Sequence, residues 1–158
     1  MESKELKIGK AGEHLAVADL LLKGIEAFRS SDGVCYDVVA DINGRLIKIQ
    51  VKTTQKVRLM SQRANPIYFF HIKRTGKNGN RFYDKKDFDC FALVALDIRK
   101  IFYLPFNDRI KSNSICIRDR AIDYSGHHGG GRTNGLYFQD LTWESFYEYT
   151  VQKMQKNI

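Results

Sequence analysis

Three polar side chains in the segment YDVVADINGRLIKIQVKTT, residues 36–54, have the types and spacing of a reactive site: Asp37, Gln50 and Lys52. Asn43-Gly44 in its middle is the strongest short-range signal for a two-residue hairpin turn, and the flanking runs are rich in Val and Ile. Counting outward from that turn pairs Ile42 with Arg45, Ala40 with Ile47, Val38 with Ile49 and Asp37 with Gln50. Opposed side chains on one face of a hairpin lie about 5 Å apart. Lys52 returns to the same face because strand side chains alternate. The other face carries Val38, Ala40, Ile47, Ile49 and Val51, so a slip of one residue would bury Asp37 and Lys52 among aliphatic groups. A carboxylate, an amide oxygen and the backbone carbonyl of Val51 form a set of hard oxygen ligands that suits Mg²⁺. A lysine beside such an ion can orient a water molecule or offset charge that builds up on a phosphate. The plainer alternative is a solvated hairpin face with an ordinary Asp–Lys pair.

The elements that must position these groups follow from periodicity and turn chemistry. A helix is expected from Ser3 to Lys23, capped by Ser3 and stopped at Gly24, with Ala11, Leu15, Ala18 and Leu22 turned inward. After the hairpin come a strand at 67–72, a Gly/Asn/Lys loop at 73–81, and a strand at 90–96 whose unbroken apolar run predicts burial on both faces. A strand at 100–105 pairs with it across 97–99. A short piece spans Ile115–Ile117, and 125–135 is too glycine-rich for regular structure. A final amphipathic helix covers 142–154 with Trp143, Phe146, Tyr147, Val151 and Met154 inward. The expectation is one α/β domain over residues 1–158, with a mixed central β-sheet flanked by helices.

The chain has 158 residues, 43% of them hydrophobic, enough for a real core. Cys35, Cys90 and Cys116 are too few and too irregularly spaced for a disulfide framework or a zinc site, and they read as core. No apolar run makes a membrane span or a signal peptide, so a cytoplasmic protein is expected. Lys and Arg total 26 against 18 Asp and Glu, a net charge of +8. The excess is concentrated in one stretch, where Lys52, Lys56, Arg58, Arg63, Lys73, Arg74, Lys77, Arg81, Lys85 and Lys86 face a single acid, Asp84. Tyr68, Phe69, Phe70, Phe82 and Tyr83 are interleaved with them, which suits a nucleic-acid surface as well as a strand pair with a solvated rim. Gln55, Gln62, Arg63 and Asn65 add groups able to read bases. In the glycine loop Arg132, Thr133 and Asn134 can donate to phosphates or base edges. His127 and His128 lack metal partners at zinc spacing, and His14 reads as a surface histidine.

D-x12-Q-x-K after a turn, preceded by a helix bearing GKAGEHLA, resembles the PD-(D/E)XK nuclease core over roughly residues 8–54. The resemblance implies that Glu13 is the helix carboxylate, Asp37 the metal ligand, Gln50 the second-acid position and Lys52 the motif lysine. Tyr36 stands where the motif has proline, and Gln50 removes one negative charge. That glutamine is similar to the variant in small group I intron homing endonucleases of this fold, as is the later DFDCFALVALDIRKIFYLP. The resemblance implies an endonuclease dependent on Mg²⁺, with Mn²⁺ able to substitute, that cuts double-stranded DNA; because one such site cuts one strand, a double-strand break needs two copies, and a homodimer or homotetramer is expected. Lys56, Arg58, Arg63, Lys73, Arg74, Lys77, Arg81 and Arg132 would bind the DNA. A Holliday junction resolvase shares the core and the basic surface. A non-cleaving DNA-binding descendant, with Gln50 as its mark, is the alternative outside the enzymes.

Overall fold

The computed structural model describes residues 2–59, 66–76, 79–107, 110, 112–122 and 136–155, with backbone alone at 74–76, 79–81, 122, 154 and 155. Helix α1 (Lys4–Leu22) begins where Ser3 Oγ accepts the Leu6 N–H at 3.3 Å. It ends at Gly24, whose φ of 76° lies in the left-handed region. Strands β1 (Glu26–Arg29), β2 (Val38–Ile42) and β3 (Arg45–Thr54) follow as an antiparallel meander. Next come β4 (Arg58–Leu59), β5 (Pro66–His71), β6 (Arg74–Gly76) and β7 (Gly79–Arg81), then β8 (Cys90–Ala95), β9 (Lys100–Pro105) and β10 (Ser114–Arg118). A 3-10 turn at Arg120–Ile122, β11 (Leu136–Tyr137), a second 3-10 turn at Phe138–Asp140 and helix α2 (Trp143–Gln155) complete the described order.

The central sheet runs β1-β2-β3-β8-β9, parallel at β3–β8 and antiparallel elsewhere. This is the mixed α/β arrangement expected. All six residues of β8 are buried, as the apolar run requires of a strand covered on both faces. One face packs against the helices: Ala16 and Leu20 of α1 and Trp143 and Phe146 of α2 join Val38, Ala40, Ile47, Ile49 and Val51. The other face is covered by a second sheet, β11-β10-β5-β4, through Tyr68, Phe70 and Ile115 against Phe91, Leu93 and Phe102.

Four expectations need correction. The buried stripe of α1 is Gly12, Ala16 and Leu20, while Ala11 and Ala18 are exposed, Leu15 is half-buried and Leu22 is 89% exposed. Apolar residues lie almost all round this helix, so periodicity leaves its rotation open. The sheet selects the line on which Gly12 permits the closest approach, because a Cβ there would meet Thr53 Oγ1 at 1.9 Å. In α2, Tyr147 is 37% exposed, whereas Trp143 and Phe146 are buried and Val151 is half-buried; the Met154 side chain lies outside the described residues. The loop expected at 73–81 contains the β6–β7 hairpin, with Arg74 opposite Arg81. Of the cysteines only Cys90 is buried: Cys35 is half-buried and Cys116 is exposed, on the outward-facing alternation of β10.

Candidate active site

The hairpin forms in the expected register, Ile42 with Arg45, Ala40 with Ile47 and Val38 with Ile49. Asn43 and Gly44 have φ of 53° and 84°, the positive pair a tight turn of this hand requires, and Asp41 Oδ1 accepts the Gly44 N–H at 2.7 Å. The ladder ends at Val38, and Asp37 N–H donates to the Ile49 carbonyl at 2.9 Å. Asp37 Oδ2 then accepts the Val51 N–H at 2.8 Å and the Gln50 amide nitrogen. On its other side the Asp37 carbonyl accepts the Ser30 N–H at 2.9 Å, and Ser30 Oγ donates to the Tyr36 carbonyl at 2.5 Å. Asp37 is therefore fixed between two chain segments. Gln50 is the one buried polar residue among those described, 8% exposed.

Glu13 arrives from α1. Its Oε2 accepts Arg29 Nε at 2.8 Å, and the second guanidinium nitrogen lies 2.5 Å away. The Gly12–Thr53 contact sets the height of Glu13 above β3. A cleft of about 500 Å³ opens between the helix and the end of β3, where Glu5, Gly9 and Glu13 face Val51, Lys52, Thr53, Gln55, Lys56 and Arg58. Lys52 Nζ sits 5.3 Å from the centre of the Tyr83 ring.

Burial pushes the Asp37 carboxyl above its ordinary value, the Val51 N–H pulls it back, and the Glu13 charge raises it again. Burial pushes the Lys52 ammonium down, and the Asp37 charge partly restores it. Both charged forms are thus disfavoured where they stand, a pattern that clusters at functional sites. A cation fits this donor set. Two carboxylates lie close enough to feel each other, and the Val51 carbonyl and the Gln50 amide oxygen are neutral hard donors. Among the described residues no three His, Cys, Asp or Glu side chains gather around a possible metal, so the set depends on the amide and the main chain. In the structure the Gln50 nitrogen faces Asp37, and presenting its oxygen takes a half-turn about the last side-chain bond.

Other expected contacts divide. Gln55, Lys56 and Arg58 line the cleft. The Arg58 guanidinium stacks 4.5 Å from the centre of the Phe69 ring, and Lys73 Nζ lies 5.3 Å from that of Phe82. His14 is exposed, as expected. The side chains of Arg74 and Arg81, and the whole of Gln62, Arg63, Asn65, Lys77, His127, His128, Arg132, Thr133 and Asn134, lie outside the described residues. Sequence reasoning did not find Arg29 or Thr53, and it read Tyr83 as part of the basic, aromatic surface without connecting it with Lys52. Arg29 lies on a strand that was not expected, and nothing in its local pattern connects it with Glu13.

A family model described as PD-(D/E)XK endonuclease matches residues 1–125. The chain belongs to the PD-(D/E)XK endonuclease family. Membership makes this a nuclease with DNA as the implied substrate, in a family that generally uses divalent metal ions. Among solved structures, the chain is similar to a bacterial homing endonuclease, I-Ssp6803I, at 19% identity and a TM-score of 0.61, covering 98% of this chain and 96% of that one. That likeness concerns the fold. No curated protein matches the sequence. No helix among the described residues is long and apolar enough to cross a membrane.

Proposed function

We propose that this PD-(D/E)XK protein is a site-specific homing endonuclease that makes double-strand breaks in DNA with Mg²⁺, Mn²⁺ being able to substitute. The observation that carries the reading is that Asp37 is bound to Gln50 and to the Val51 N–H, while Val51 and Lys52 line a cleft that Glu13 also lines. Asp37, the Val51 carbonyl, Gln50 and Glu13 would hold the ion. When bound, it would supply Lewis-acid stabilisation of the phosphate and a water of lowered pKa. Asp37 is held by the Val51 N–H, and its orientation does not depend on the ion. The Lys52 ammonium stands beside it to orient the attacking water and offset charge on the phosphate. Lys56 and Arg58 carry the basic surface onward from the cleft toward the DNA backbone. One such site cuts one strand, so a double-strand break calls for two copies related by two-fold symmetry, in a homodimer or homotetramer.

The Gln50–Asp37 hydrogen bond favours a second reading, a DNA-binding protein that no longer cuts, since the amide nitrogen stands where a cation would meet the carboxylate. Incubating the purified protein with a duplex library and with a four-way junction, with and without Mg²⁺, separates these readings. Mg²⁺-dependent cutting of a duplex sequence supports the homing endonuclease. Cutting of the junction alone identifies a resolvase, and tight binding without cutting identifies the inactive descendant. Asp37→Ala should abolish cleavage and leave binding in place. Cleavage by that variant would remove Asp37 from the site.

A further inference from the structure

Two nitrogens of Arg29 converge on one oxygen of Glu13, at 2.8 and 2.5 Å, with the side chains 35% and 20% exposed. Arg29 is the last residue of β1 and stands opposite Val38, one residue from Asp37. The strand that pairs with the hairpin therefore delivers a guanidinium to the helix acid at the point where both reach the site. Ordinary surface ion pairs contribute little to stability. This one has a different setting, because Glu13 also acts electrostatically on Asp37. Among the four ionisable groups gathered here, Asp37 and Glu13 are balanced by Lys52 and Arg29.

We propose that Arg29 is a positioning residue of the active site: its guanidinium fixes the Glu13 carboxylate beside Asp37 and balances its charge, and so sets the divalent-cation concentration at which the enzyme works. This rests on the reading of Asp37 and Glu13 given under the proposed function. The guanidinium offers a planar fork that orients a carboxylate. Both contacts fall on Oε2, so Oε1 is not the atom Arg29 engages. Removing the positive charge leaves the group at −1, which strengthens attraction for a cation. It also frees Glu13 to turn away from its working orientation. Cation affinity and maximal rate should therefore move in opposite directions, which simple loss of fold would not produce.

The test is Mn²⁺ binding to the DNA-free protein, by calorimetry or electron paramagnetic resonance, beside Mg²⁺ titration of the initial cleavage rate. Arg29→Gln should bind Mn²⁺ about tenfold more tightly, as removal of one nearby charge in a partly solvated cleft predicts. Its rate at saturating Mg²⁺ should fall about tenfold, the scale of a displaced positioning group. Arg29→Lys keeps the charge and should keep Mn²⁺ affinity near that of the wild type. Unchanged or weaker Mn²⁺ binding in Arg29→Gln overturns the proposal, as does equal tightening in Arg29→Lys. Glu13→Gln separates this from the underlying reading. If it leaves both Mn²⁺ affinity and rate unchanged, or if the wild type does not bind Mn²⁺, the assignment of the site itself fails. If Glu13→Gln disturbs both and Arg29→Gln neither, only the role of Arg29 fails.

Discussion

Gly12→Ala is the substitution for which the structure gives the sharpest magnitude. The new Cβ would stand 1.9 Å from Thr53 Oγ1, 3.0 Å from its Cβ and 3.1 Å from its Cγ2. Thr53 Oγ1 is buried without a hydrogen-bond partner. Relief requires the helix or β3 to move by about an ångström, because the obstructing atom is on a short, β-branched side chain only two bonds from the strand backbone, and turning it about χ1 leaves its Cβ at 3.0 Å. Overpacking of this kind costs up to about 3 kcal/mol. Alanine returns about 1 kcal/mol through helix propensity, leaving a net loss of about 2 kcal/mol. For a chain of this length that lowers Tm by about 4–8 °C. Gly9, one turn earlier on the same helix, is the control: a Cβ there meets nothing within 4 Å, so Gly9→Ala should raise Tm slightly. Thr53→Ala in the Gly12→Ala background removes Oγ1 and Cγ2 and leaves only the 3.0 Å contact, so the double variant should recover most of the loss. Thermal unfolding followed by circular dichroism reads all four proteins. A Gly12→Ala protein as stable as Gly9→Ala would refute the close approach, and with it the account of how Glu13 is held above β3.

Asp37→Asn should lose cleavage without losing stability, since it removes a buried charge and keeps an acceptor for the Val51 N–H. Because the folded-state pKa of Asp37 is raised, its contribution to stability is complete below its ordinary value of 3.8 and is lost as pH rises through the raised value. Denaturant titrations across that window should show the wild type losing stability relative to Asp37→Asn, and parallel curves would contradict the raised pKa. Gln50→Glu should cleave at lower Mg²⁺ than the wild type and Gln50→Ala should lose most activity in the same titration; full activity in the alanine variant would take Gln50 out of the site. DNA affinity should fall about 10³-fold between 50 and 200 mM salt if about six phosphates are neutralised. A flat response in a filter-binding or anisotropy titration would contradict a DNA surface that begins at Lys52.

Asp37, Gln50 and Lys52 were legible because their convergence depends on one local decision, the Asn43-Gly44 turn. Once its two residues take positive φ, the period of two places every later side chain. The apolar run Cys90–Ala95 was legible for a related reason, since a strand covered on both faces has no polar positions to offer. The face of α1 was not legible. A helix with apolar residues nearly all round does not encode its own rotation, and here the sheet decided it through a contact between Gly12 and Thr53, 41 positions apart in the chain. Strand β1 escaped because four residues offer too little alternation to stand out, and it gains its hydrogen bonds only from β2. The salt bridge from Arg29 to Glu13 was hidden with it.

Gln50 brings these points together. An acid at this position would place a third carboxylate against Asp37 and Glu13, in a pocket where burial already raises Asp37 and lowers Lys52. Repulsion among three neighbouring carboxylates is relieved by protonation or by a bound cation, so the site would then depend on its metal to stay ionised. The amide avoids that cost. It donates to Asp37, leaves two acids balanced in charge by Lys52 and Arg29, and lets the pocket form with Asp37 hydrogen-bonded and Glu13 paired to Arg29. What it gives up is the attraction of one negative charge for a divalent ion. On the proposed reading, the glutamine shifts the site toward stability without metal and toward a higher metal requirement, and Arg29, by offsetting the Glu13 charge, pushes in the same direction.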